Sequence, residues 1–162
     1  MTESRFIKQI IGVIAFFCLW VSQAAANPVY WRSEWPKTNF IKYSVPLTDI
    51  LSGGPPRGGI PPIDEPSFKP VANIEALGQK ELVTEVSINS YARACPLRIL
   101  MRHKIVNDEL GGAPISATFC PLCKAAMVCD HRVGDKVLDF RNSGKLCNSD
   151  VVIWDRQAES GW

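Results

Sequence analysis

The chain has 162 residues, a formal net charge of +2, 46% hydrophobic and 21% charged residues. That length suits one domain with its own core. A nearly balanced charge with no Lys/Arg block gives no electrostatic footprint for nucleic acid, so no nucleic-acid partner is expected.

The N-terminal stretch MTESRFIKQIIGVIAFFCLWVSQAAANP carries Arg5 and Lys8, an apolar run from Ile10 to Ser22, and small residues at Ala24-Ala25-Ala26. This predicts a signal peptide over residues 1–26, cleaved after Ala26, and a periplasmic or secreted protein. The run is shorter than the roughly 20 apolar residues that span a bilayer. No stable membrane span is therefore expected after cleavage. Cys18 leaves with the leader, so five of the six cysteines stay. In an oxidising compartment an odd number leaves at least one free, metal-bound or paired between chains.

Residues 27–50 form an aromatic-rich N-terminal segment with Tyr30, Trp31, Trp35, Phe40 and Tyr43, expected to pack as a lid on the core. Residues 51–162 read as a single domain. Its first stretch, LSGGPPRGGIPPIDEPSFKPV, holds five prolines and four glycines between Gly53 and Pro66. Neither a helix nor a central strand tolerates that density, which predicts an ordered, extended loop. Asp64 and Glu65 within it read as solvated turn residues, with cation binding as the alternative.

A short helical turn is predicted at 73–78. The strand Leu82–Ile88 turns at Asn89-Ser90 into a second strand, Tyr91–Ala94. Pro96 suits a helix start, and Leu97, Leu100, Met101 and Ile105 share one helical face. The helix is expected over about 96–108, ended by Asn107-Asp108 and Gly111-Gly112. Ala113–Phe119 reads as a strand, with Ile115, Ala117 and Phe119 on one face. Ala126–Val133 and Lys136–Phe140 flank the Gly134-Asp135 turn of a hairpin, and Val151–Trp154 is a last strand. The fold class is α+β, mainly β: antiparallel strands and hairpins, one prominent helix, and a Pro/Gly-rich loop.

TFCPLCKAAMVCD, Thr118 to Asp130, holds the chemistry. A thioredoxin-like dithiol needs a long helix after the CxxC, whose dipole lowers the first thiol's pKa. The hairpin expected here removes that dipole and disfavours this reading. A structural zinc site needs four ligands, and Cys120-Cys123 supplies two. His103, Cys95, Cys129, His131 and Cys147 are the remaining candidates, and zinc or copper suits thiolate with imidazole. The third reading is a local Cys120–Cys123 disulfide, which export favours.

Four segments, GGPPRGGIPPIDEPSF, RACPLRILMRHKIVND, GGAPISATFCPLCKAAMV and SGKLCNSDVVIWDRQAES, resemble in order the domain-of-unknown-function 3179 family. The resemblance runs from about Leu51 to the end of the chain. It implies an exported or envelope-associated bacterial protein and brings no established activity. Cys120, Cys123 and His103 match the family pattern, whereas Cys95, Cys129 and Cys147 depart from it. The resemblance thus narrows the ligand pool to Cys120, Cys123 and His103, although Arg102 and Lys104 place positive charge beside His103. It also covers Asn107, Asp108, Asn148, Ser149, Asp150, Asp155, Arg156 and Glu159, a candidate polar pocket. Family members continue past Trp162, so a shortened, divergent copy is expected.

The sequence thus points to an exported protein with a Cys-Pro-Leu-Cys pocket that binds a transition metal or carries out thiol redox chemistry. The alternative is a non-catalytic envelope binding or structural module in which Cys120–Cys123 is a disulfide staple. A hydrolase using His103 and Asp108 lacks any GxSxG or HExxH support.

Overall fold

The structure is a computed structural model that describes residues 28–162; the expected leader, its cleavage site after Ala26 and Cys18 lie outside the described residues. Among the described residues two α-helices, α1 (Pro28–Glu34) and α2 (Leu97–His103), accompany ten strands. These are β1 (Ile50–Ser52), β2 (Val83–Ile88), β3 (Tyr91–Pro96), β4 (Ile105–Leu110), β5 (Ala113–Cys120), β6 (Ala125–Asp130), β7 (Arg132–Val133), β8 (Lys136–Val137), β9 (Phe140–Cys147) and β10 (Asp150–Asp155). All ladders are antiparallel. The α+β, mainly β reading holds.

The centre is the sheet β4-β5-β6. Alternate residues of its strands serve two different cores, as the period of two requires. Val106, Ala117 and Phe119 join Cys95 of β3 and Leu100 of α2, with Ile63, Phe68, Leu97 and Val128 packed around them. Ile105 points the other way and joins Leu138, Phe140 and Ile153, with Cys129 and Val151 against them. One face of the central sheet is thus covered by α2 and the β2–β3 hairpin, and the other by the sheet β1-β9-β10.

The turn chemistry sets these ladders. Asn89 and Ser90 both take positive φ, 49° and 67°, in the two-residue turn between β2 and β3. Gly111 and Gly112 do the same between β4 and β5, at 58° and 81°. A Cβ on Gly111 would sit 2.7 Å from the Ile88 carbonyl oxygen, so only glycine lets the two hairpin tips meet.

The helix expected over 96–108 is shorter. Lys104 adopts φ 64° and returns its N–H to the Leu100 carbonyl at 2.7 Å, closing α2 after His103. Ile105 and Val106 then open β4, and Asn107 and Asp108 lie on that strand instead of ending the helix. The spacing of Ile105 after Met101 fitted a helix. Burial of Ile105 and Val106 on opposite sheet faces decides for a strand buried on both sides. Gly111-Gly112 accordingly turns a hairpin and caps no helix. The turn expected at 73–78 is a single 3-10 turn at Val71–Asn73. The strand expected from Ala126 to Val133 is interrupted at His131, and the Gly134-Asp135 hairpin is the short pair β7–β8.

The Pro/Gly-rich stretch is extended as expected, and it pairs. Ile63 N–H donates to the Ile105 carbonyl at 3.0 Å and its own carbonyl accepts from Asn107 N–H at 2.8 Å, a parallel bridge along the β4 edge. The N-terminal aromatics also pack. Trp31 and Trp35 are buried with Trp154, joined by Phe40, Leu47 and Ile50, while Tyr43 stays exposed.

Candidate functional site

Cys120 ends β5 and pairs in register with Ala125, the first residue of β6. Pro121 to Lys124 make the four-residue turn between them. Pro121 presets φ at the turn's start, and Lys124 takes φ 54° to bring the chain back. Cys120 and Cys123 form a disulfide across this turn, with Cα atoms 5.2 Å apart. Cys123 N–H also donates to Cys120 Sγ at 3.3 Å. The chain continues as β6, so no helix dipole acts on the sulfurs. Cys120 is buried, Cys123 half-buried and Leu122 exposed at the tip.

The other three cysteines of the described residues are free thiols. Burial, and secondarily the Asp108 carboxylate, pushes the Cys95 thiol up from its ordinary range. Burial pushes Cys129 up as well, with Asp130 adding to it. These two stay protonated and act as small apolar side chains.

Among the described residues, one group of His, Cys, Asp and Glu is close enough to share an ion: Cys120, Cys123 and Asp150, with donor atoms within 4.8 Å of one another. His103, expected beside the cysteines, is not in it. Its Nδ1 lies 3.0 Å from the Pro61 carbonyl oxygen at the C-terminus of α2. Asp150, which the family resemblance places in a polar pocket, takes the third position. It opens β10, opposite Cys147, and the β9–β10 hairpin carries it to the disulfide.

The remaining polar residues are spread over the molecule. Asp108 faces the α2 side and pairs with Arg93 at 3.5 Å. Asn148 and Ser149 are exposed turn residues with φ 49° and 65°. Asp155 is fully buried and organises the C-terminal turn by accepting Ala158 N–H at 2.6 Å, Ser160 N–H at 3.1 Å and Trp162 Nε1–H at 3.0 Å. It makes no surface pair with Arg156, which binds Asp139 at 3.0 Å. His103 and Asp108 have separate partners, so the pairing a hydrolase would need is not formed.

Sequence reading missed a polar chain that starts at exposed Asp64 and runs inward through buried Asn107, Ser116 and His131. Arg141 pairs with Asp64 at 2.7 Å, and Asp64 accepts from Asn107 Nδ2 at 3.0 Å. Asn107 also donates to the Phe140 carbonyl at 3.0 Å and accepts from the Ser116 hydroxyl. With its proton committed to Asn107, Ser116 Oγ accepts from His131 Nδ1 at 3.1 Å. Burial pushes His131 below its ordinary range, and the weaker opposing pull comes from Asp130 and Asp139. A serine beside a histidine is a nucleophile signature, but Ser116 is fully buried and no substrate reaches it.

A second node holds the N-terminal segment. The Arg57 guanidinium lies between Trp35 and Trp154, 4.7 and 4.1 Å from their ring centroids, and pairs with Glu159 at 2.7 Å. Glu159 also accepts from Lys37 N–H at 3.2 Å, and its carboxyl is held below its ordinary range chiefly by Arg57. Two clefts flank β10. One of about 500 Å³ lies under the aromatic segment. The other, about 300 Å³, is walled by Thr118, Cys120, Met127, Cys129, Phe140 and Ile153. Asp150, Val151 and Trp162 border both. Among the described residues no helix is long and apolar enough to cross a membrane.

The family model described as "Protein of unknown function (DUF3179)" matches residues 57–162. No curated protein and no solved structure matches this chain.

Proposed function

The chain belongs to the DUF3179 family of proteins of unknown function, and from that premise we propose that it is an exported, non-catalytic binding or structural module of the cell envelope in which Cys120–Cys123 is a staple. One observation carries the reading. The two cysteines are bonded across a tight turn between two paired strands. A thiol in that position lacks the helix dipole that activates redox cysteines of the thioredoxin type. The bond's work is local: it ties the β5–β6 turn, whose flanking residues Cys120 and Ala125 line the smaller cleft, and the walls of that cleft are mostly apolar. Export is supported by the N-terminal sequence pattern, and an oxidising compartment keeps such a disulfide closed.

The test pairs stability with catalysis. Cys120→Ser/Cys123→Ser should unfold at lower urea concentration, by about 2 kcal/mol for so short a loop. Wild type should not accelerate reduction of a protein disulfide by a small dithiol. Acceleration that disappears in the double variant would make the protein a redox enzyme instead. Export is checked by N-terminal sequencing of the protein recovered from the envelope or medium. The expected start is Asn27, and an intact Met1 in the cytoplasm contradicts it.

A further inference from the structure

The stapled turn brings a third donor atom close to its two sulfurs. Two electrons and two protons from a small dithiol open the S–S bond to two thiols, while the dithiol closes to its own disulfide. The backbone still keeps the two sulfurs together. The Cys120–Ala125 register anchors the hairpin, the positive φ of Lys124 turns the chain back, and the Cα atoms stand 5.2 Å apart. The Cys123 N–H already points at Cys120 Sγ, at 3.3 Å.

Asp150 is the third donor. A carboxylate oxygen lies within 4.8 Å of both sulfurs. Its Oδ1 accepts Val151 N–H at 2.7 Å, which orients the group at the start of β10. No salt bridge to Asp150 is formed among the described residues, and it borders the smaller cleft. Zinc holds sulfur at about 2.3 Å and carboxylate oxygen at about 2.0–2.2 Å in a tetrahedron, so ligand atoms of one ion stand about 3.6–3.8 Å apart. From within 4.8 Å the carboxylate closes by up to about 1 Å, a shift within reach of a side-chain rotation at exposed Asp150.

We propose that the reduced protein binds one thiophilic divalent cation of the zinc class through Cys120 Sγ, Cys123 Sγ and an Asp150 carboxylate oxygen, leaving a fourth position open to water or a ligand in the cleft. Binding releases the two thiol protons. Cys95 and Cys129 compete poorly, because burial keeps their thiols protonated. His103, engaged with Pro61, takes no part. The proposal rests on the staple reading, since one turn must hold both sulfurs in either state.

The experiment uses the full folded chain. One sample stays oxidised; another is reduced with excess dithiol and desalted without air. Both are titrated with Cd²⁺, a spectroscopic substitute for zinc, and read by thiolate-to-metal charge-transfer absorbance. The reduced protein should take up one equivalent with the band, and the oxidised protein none. Cys120→Ser/Cys123→Ser should lose the band. Asp150→Asn, an exposed change that leaves the circular dichroism spectrum intact, should bind at least the roughly 10-fold more weakly that loss of even an outer-shell partner costs. His103→Ala should bind as wild type does. A band that survives in the double serine variant, or Asp150→Asn binding with wild-type affinity, overturns the proposal. Failure of the staple shows separately: alkylation before reduction would then label Cys120 and Cys123.

Discussion

The two faces of the β4-β5-β6 sheet are built from alternate residues of the same strands, yet they are different solvents. The α2 face is filled by Leu100, Val106, Ala117 and Phe119, with Cys95 as one more apolar group. The β9–β10 face mixes Ile105 and Phe140 with the chain Asp64–Asn107–Ser116–His131, and the disulfide lies at its open end. Apolar packing is indifferent to direction, whereas each buried polar group needs its own partner. The first face can tolerate a change of shape by partial collapse. The second constrains identity more closely, because each of its donors and acceptors is matched to one partner, while the β5–β6 and β9–β10 hairpins bring Cys120 and Asp150 together at its end.

The largest effect should come from the filled face. Leu100 is fully buried, so Leu100→Ala should cost about 2–5 kcal/mol in urea unfolding. Asn107→Ala breaks the polar face at its hub, leaving Ser116 and the Phe140 carbonyl without their partner, and should cost about 1–3 kcal/mol. An Asn107→Ala loss as small as that of a surface change would remove the distinction between the faces.

The pH response separates the faces next. His131 has a folded pKa lowered by burial, so on acidification the unfolded chain takes up the proton first. Stability from neutral His131 is complete above the unfolded value of about 6.5 and is lost as pH falls from there through the lowered folded value. Urea midpoints of wild type should decline across that window, and His131→Gln should flatten the decline. Equal slopes in the two proteins would show that the imidazole is not where the polar chain places it. The smallest effect is at the surface: Arg156→Ala, removing the exposed pair with Asp139, should change stability by no more than about 1 kcal/mol.

Some of this was legible in the sequence for plain reasons. Asn89-Ser90 and Gly134-Asp135 are turn dipeptides, and the alternation around Ala117 and Phe119 marks β5. The helix was read too long because Ile105 satisfies both a helical spacing and a buried strand, and only the two cores decide between them. β9 was invisible. FRNSGKLC has no alternation, since Asn142 and Ser143 are buried through hydrogen bonds to Gly144 N–H and the Val152 carbonyl. At the site, the CPLC pair and the absence of an activating helix could be read. Its neighbour could not, because Asp150 arrives through the β9–β10 hairpin. The Ser116–His131 contact likewise needs the β5–β6 register, in which Ser116 stands opposite Cys129.

The account turns on the state of the two sulfurs in the folded protein. Alkylating the native chain without reductant, then mapping its peptides by mass, reads that state directly. The expected result is a single peptide holding Cys120 and Cys123, unlabelled and two hydrogens lighter than its reduced form, with label only at other cysteines. A native, folded protein in which both Cys120 and Cys123 carry label would contradict the staple.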